Sequence, residues 1–250
     1  MKKIVGVIPA RWASTRFEGK VLAAIQGKPM VQHVWEKAQQ SRLAKDIIIA
    51  CDDKRVFQVV QEFGAQVVMT SPDHPSGTDR IAEVVKGLKV DIIVNIQGDE
   101  PLINPDVIDS LVEALAKSAS SPMATVIKKI KEEKELNDPN VVKVVIDNNQ
   151  NAIYFSRSPI PFNRDKKNFA EVGYYKHLGL YAYTKDFLKI FVSLPQSPLE
   201  RIEKLEQLRA LEFGYSIKTI ETDWDTVGVD TPEDLKKVEA LLSKSVGTTK

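Results

Sequence analysis

Ile4 to Ile8, Asp46 to Ala50, Gln66 to Met69 and Asp91 to Ile96 are short runs dominated by apolar, mostly β-branched residues. Between them apolar residues return at helical spacing, as at Val31, Val34, Trp35 and Ala38. Near-continuous apolar runs of this length fit strands covered on both faces, and their alternation with helices is βαβ order. The pattern therefore predicts an α/β fold with a largely parallel sheet flanked by helices.

Farther along, residues 141–146 and 152–155 alternate apolar with polar around the turn-rich 147–151, which predicts a hairpin and makes the sheet mixed. A single helix is expected over 198–214, with Leu199, Ile202, Leu205 and Leu208 as its buried stripe and Pro198 and Gly214 at its ends. Another is expected over 231–242, capped by Thr231 with Pro232 in the first helical position, followed by a frayed tail. The charged stretches 128–135 and 163–176 read as solvated surface, with an active-site loop as the alternative for the second.

Composition narrows the function classes. The 250 residues are 43% hydrophobic and 28% charged, as in an ordinary globular protein, and 35 Lys plus Arg against 34 Asp plus Glu leave a net charge of +1. That balance gives no reason to expect nucleic acid as a partner. No run approaches the roughly 18 apolar residues of a membrane span, and the apolar run after Lys3 is too short for a signal peptide, so a cytoplasmic protein with no membrane partner is expected. Cys51, alone, forms no intrachain disulfide and reads as a buried small side chain.

Candidate chemistry begins directly beyond the first run, where Arg11, Arg16, Gly19 and Lys20 crowd into one loop. In an open parallel sheet, ligands sit beyond the carboxyl ends of strands. Two familiar phosphate loops are excluded by counting: a Walker A loop would need Gly where Ser14 stands and Ser or Thr where Val21 stands, and a dinucleotide fingerprint would need Gly at Ile8. What remains is a loop whose cations either surround a polyphosphate or solvate a turn. After the run ending at Ile96 come Gln97, Gly98, Asp99 and Glu100. The two acids either form a turn before Pro101 or serve as hard ligands for Mg2+, with Gly98 admitting a ligand close to the backbone. A further acidic stretch, 223–234, contains Asp225, readable as a loop carboxylate, and Asp230.

These residues lie in strings that resemble the 3-deoxy-manno-octulosonate cytidylyltransferase family, within the wider sugar nucleotidyltransferases: 8–20 (IPARWASTRFEGK), 27–38 (GKPMVQHVWEKA), 73–85 (DHPSGTDRIAEVV), 94–103 (VNIQGDEPLI), 156–161 (SRSPIP), 177–183 (HLGLYAY), 197–211 (SPLERIEKLEQLRAL) and 228–235 (GVDTPEDL). Glu18 and Val21 depart from the family, which usually has Pro at both places. The resemblance implies a Rossmann-like, mostly parallel mixed sheet with a smaller sugar-binding and dimerisation subdomain. It treats 1–250 as a single nucleotidyltransferase domain, with 1–120 mainly binding nucleotide, 121–222 mainly sugar and the dimer partner, and 223–250 carrying a metal-binding Asp and the last helix.

It implies that CTP and 3-deoxy-manno-octulosonate (Kdo) give CMP-Kdo and pyrophosphate for lipopolysaccharide biosynthesis, with Mg2+ as cofactor and a homodimer as the assembly. A cytidylyltransferase for another acidic sugar, such as sialic acid, is the alternative. By position, Arg11 and Lys20 would hold the triphosphate with Arg16 as a third partner, and Asp99 and Asp230 would bind Mg2+. Ser76, Gly77 and Arg80 would lie along cytosine and ribose, with backbone carbonyls around Ala10 reading the base. Gln97, Arg157, His177, Tyr181, Glu200 and Gln207 would form the Kdo pocket.

Overall fold

Strand Ile4–Ala10 lies between Ile92–Asn95 and Asp46–Cys51, parallel to both, and Gln66–Met69 follows Asp46–Cys51 in the same direction. Helices Met30–Ala38, Lys54–Glu62 and Gly77–Val85 alternate with these strands, as the periodicity predicts. Because the chain leaves Ile4–Ala10 towards one side and later returns to pair on the other with Ile92–Asn95, the order reverses beside the first strand. In such sheets the crevice beyond the strand ends at this reversal is the natural ligand site.

This computed structural model describes residues 2–13 and 17–246. The chain divides into two units, Met1–Asp109 with Thr226–Lys250, and Ser110–Asp225. In the first, the last helix, Pro232–Val246, packs Val238, with Leu235 and Leu242, around Ile25, Met30 and Val229. Thr231 caps it as expected, its hydroxyl accepting from the Asp234 amide at 3.3 Å while Asp234 accepts from the Thr231 amide at 3.2 Å. The helix continues past 242 to Val246, and residues 247–250 lie outside the described residues.

The second unit is mixed. Ile217–Glu221 runs parallel to Met123–Lys129, which is antiparallel to Tyr175–Thr184, and the hairpin of Lys143–Ile146 and Ala152–Ser156 joins the latter. Three expectations are corrected here. The stretch 163–176 is not wholly surface: Tyr174 is buried, and Lys176, buried in the strand that starts at Tyr175, is ion-paired to Glu135 and, at 3.0 Å, to Asp225. Nor is 128–135 solvated throughout: Lys129 and residues 131–134 are exposed, but Ile130 is buried and Lys128 also reaches Asp225, at 3.2 Å. Asp225 is thereby a clamp on two lysines. Finally, the helix expected over 198–214 is two, Pro198–Glu203 and Leu208–Glu212, because Lys204 takes a left-handed φ of 55°. The break turns Ile202 outward while Leu205 and Leu208 stay inside.

Among the described residues no helix is long and apolar enough to cross a membrane.

Candidate active site

Beyond the carboxyl ends of Ile4–Ala10 and Ile92–Asn95 opens a cavity of about 600 Å³. Arg11, Lys20, Gln97, Asp99 and Asp230 all line it, with Gly77 and Glu18. Residues far apart in sequence meet at Lys20, whose ammonium donates to Asp99 Oδ2 at 2.6 Å, to Asp230 Oδ1 at 3.0 Å and to the Val229 carbonyl at 3.2 Å. A backbone bond from Val229 N–H to the Asp99 carbonyl, 2.9 Å, holds the two acidic loops side by side. Burial alone would lower the Lys20 pKa, but the charge and hydrogen bond of Asp99, joined by Asp230, outweigh it and raise it. Arg11 Nε is buried without a hydrogen-bond partner, a donor left over beside the cavity.

Asp99 and Glu100, read together from the sequence, part company in the structure. Asp99 faces the cavity, whereas Glu100 is 7% exposed, Oε2 has no partner, and burial together with the Asp99 charge pushes its pKa up to about 8. Glu100 therefore does not stand beside Asp99 in the cavity lining; Asp230 is the carboxylate that joins Asp99 at Lys20. Gly98 likewise serves its own chain, since a Cβ there would stand 2.8 Å from the Pro9 carbonyl oxygen. Two carboxylates gathered on one cation suit Mg2+, which takes one or two protein carboxylates plus phosphate and water oxygens. Among the described residues no group of three His, Cys, Asp or Glu is gathered to hold a metal.

Of the expected base-side residues Gly77 lines the cavity, whereas Ser76 and Arg80 are not among its lining residues. Arg80 is fully buried and does not line the cavity: it donates to Asp52 Oδ2 at 2.8 Å, to the Ser71 carbonyl at 3.3 Å and to the Thr70 hydroxyl. Its two Nη groups are thus taken up by internal acceptors while Nε has no partner, and Arg80 ties Asp52 to the Thr70–Ser71 segment from inside the protein. Ser76 caps the helix Gly77–Val85, accepting from the Thr78 and Asp79 amides and donating to Asp79 Oδ2 at 2.7 Å. Ala10 ends the first strand, buried and in register with Cys51. Arg16 lies outside the described residues.

Within the second unit, His177, Tyr181 and Gln207 do come together. The Tyr181 hydroxyl donates to Gln207 Oε1 at 3.1 Å, and the His177 and Tyr181 ring centroids are 5.3 Å apart. Gln207 Nε2 is buried with no partner. The Thr125 hydroxyl donates to the Leu180 carbonyl at 2.8 Å, so at His177, 2.9 Å away, it accepts from Nε2–H. That assigns the tautomer and leaves Nδ1 as an acceptor. Burial pushes the His177 pKa down to about 3.

An unfolded histidine titrates near 6.5, so between about pH 3 and 6.5 the unfolded chain binds the extra proton, and stability rises with pH across that window and is lost as pH falls. His177→Gln is expected to flatten this slope by up to about 1.4 kcal/mol per pH unit, measured by denaturant unfolding at several pH values; an unchanged slope would refute the neutral ring.

Two further sugar-side candidates are engaged internally. Arg157 donates from Nε to the Glu203 carbonyl at 2.8 Å and from an Nη to the Pro139 carbonyl at 2.9 Å. Glu200 is buried and accepts from Arg209 Nε at 2.9 Å and Nη2 at 2.6 Å, besides the Ser197 amide at 3.1 Å. It is not on the wet side of a helix. The sequence reading did not single out Thr125, which orients His177, or Asp52, which receives Arg80; Asp52 follows directly on the buried strand Asp46–Cys51, the same signal that marked Asp99.

Comparison with known proteins decides the family. The cytidylyltransferase family pattern matches residues 5–220. A 3-deoxy-manno-octulosonate cytidylyltransferase of Solibacter usitatus is 54% identical over 98% of this chain and 96% of its own length, and one of Syntrophus aciditrophicus is 50% identical over 97% and 98%. The chain belongs to the 3-deoxy-manno-octulosonate cytidylyltransferase family. A solved CMP:2-keto-3-deoxy-manno-octonic acid synthetase complexed with CTP superposes with a TM-score of 0.92 at 45% identity, covering 97% of this chain and 99% of that one. The α/β fold read from the sequence is therefore the fold of this cytidylyltransferase family, and no relative named here favours the sialic acid alternative.

Proposed function

We propose that this chain joins CTP and Kdo into CMP-Kdo and pyrophosphate for lipopolysaccharide biosynthesis, working in the cytoplasm as a homodimer with Mg2+. The observation that carries the mechanism is the convergence of Lys20, Asp99 and Asp230 in one cavity at the reversal of strand order. The reaction is direct in-line attack of the Kdo anomeric hydroxyl on the α-phosphorus, which demands positioning and charge neutralisation more than covalent chemistry. Asp99 and Asp230 would hold Mg2+, which when bound neutralises phosphate charge and lowers the pKa of a coordinated hydroxyl. Lys20 stays protonated across the working range and, with Arg11, offsets the charge of the triphosphate.

On the sugar side, neutral His177 presents Nδ1 as an acceptor for a hydroxyl and Gln207 presents its unpartnered N–H, while Tyr181 holds the Gln207 amide in place. Arg157, whose guanidinium donates internally to two neutral carbonyls, would keep its positive charge for the Kdo carboxylate. Phe162, 86% exposed within the 156–176 region expected at the dimer contact, is apolar surface that pairing would cover.

The test is pyrophosphate release from CTP and Mg2+ with Kdo, with sialic acid, or with no sugar. Release with Kdo alone is the expected result. Release only with another acidic sugar would keep the chemistry and overturn the substrate, and CTP binding without release under any condition would overturn the enzyme.

A further inference from the structure

The loop after the first strand is closed at its neck. Gly19 N–H donates to the Trp12 carbonyl at 3.0 Å, so Arg11 and Lys20, the two cations assigned to the triphosphate, stand one residue outside the neck on either side. Whatever holds Trp12 against Gly19 therefore sets the spacing of those cations. Trp12 is held by several independent contacts. Its backbone N–H donates to Asp52 Oδ1 at 3.0 Å, the same carboxylate that Arg80 grips from inside the protein. Its indole N–H donates to Glu18 Oε1 at 3.0 Å. The Arg55 guanidinium, itself paired with Asp53, lies 3.6 Å from the centroid of the Trp12 ring, a cation–π contact.

The ring packs directly on the neck. A Cβ at Gly19 would meet Trp12 Cη2 at 2.7 Å, and Gly19 has a φ of 66°, so both space and backbone conformation restrict that position to glycine. This explains Gly19 without appeal to a close phosphate. It also explains Glu18: its carboxylate lines the cavity yet is turned to the indole N–H.

We propose that Trp12 is a positioning residue for the nucleotidyl transfer, closing the loop neck so that Arg11 and Lys20 are pre-spaced for a triphosphate; this rests on the nucleotide reading of the cavity. A triphosphate sets more charge and more oxygens against the two cations than a monophosphate does, so loosening the neck is expected to weaken CTP more than CMP. General loss of structure would weaken both alike.

The experiment is calorimetric binding of CTP and of CMP in the presence of Mg2+, with kcat and KM for CTP and for Kdo, on the full chain. Trp12→Ala is expected to weaken CTP roughly 10-fold to 100-fold, the scale at which small misplacements act, with CMP affinity and KM for Kdo near parental values. Trp12→Phe, which keeps an aromatic face for Arg55 but loses the indole N–H and the outer ring atoms that pack on Gly19, is expected to recover part of the loss. Gly19→Ala should reproduce the Trp12→Ala pattern and stands in for it if that variant fails to fold. Equal losses for CTP and CMP, or unchanged CTP affinity, would overturn the role of Trp12. Lys20→Met separates this from failure of the underlying reading: if Lys20→Met loses CTP while Trp12→Ala does not, only the positioning role falls, and if Lys20→Met binds CTP normally, the nucleotide assignment falls and the positioning role with it.

Discussion

Asp99→Asn is expected to reduce turnover at least roughly 100-fold while the protein remains folded. The amide keeps the size of the side chain but not the charge, and Asp99 makes the shorter of the two carboxylate contacts to Lys20, 2.6 Å against 3.0 Å for Asp230. Its side chain is also less exposed than that of Asp230, 30% against 44%, so its charge is less screened by solvent. The same substitution at Asp230 should therefore cost less. Steady-state pyrophosphate release across a Mg2+ titration, beside thermal unfolding of the same samples, checks this. Near-parental turnover in Asp99→Asn would remove it from the metal site, and a large drop in unfolding temperature would recast it as a structural residue.

The second large effect is on stability. Arg209→Leu leaves the Glu200 carboxylate buried without its cation, and breaking such a pair costs about 3–5 kcal/mol. The loss includes the packing of the guanidinium 4.9 Å from the Phe191 ring centroid. Denaturant unfolding reads this directly. Replacing Glu200 as well, in the double variant Glu200→Gln with Arg209→Leu, should recover part of the loss because no unpaired charge remains. A fall in stability for Glu200→Gln with unchanged KM for Kdo would fit the internal ion pair, whereas unchanged stability with a raised KM would restore Glu200 to the sugar pocket.

How legible the molecule is from its sequence differs between the two units. In the first, Ile4–Ala10, Asp46–Cys51 and Ile92–Asn95 are buried and apolar on both faces and helices have one apolar stripe, so periodicity alone locates all four parallel strands, although Gln66–Met69, at the sheet edge, is only half covered. In the second, Tyr175–Thr184 escapes this reading because a charged side chain points inward at Lys176, tolerated only through Glu135 and Asp225. The helix break at Lys204 escapes it too, since the stripe continues in sequence although the backbone does not.

The α/β order, the placement of ligand chemistry beyond strand ends and the family are all legible along the chain, because they depend on local periodicity and on strings of residues. Which polar groups face the cavity and which are used up inside emerges only when the chain is folded. Asp99 and Glu100 are adjacent in the chain, yet one meets Lys20 and the other is buried with its proton favoured; Arg80 and Glu200 look like ligand contacts and are spent on Asp52 and Arg209. The physical reason is that a buried charge must find a partner, and the partner comes from wherever the fold brings one, at a sequence distance no local pattern records.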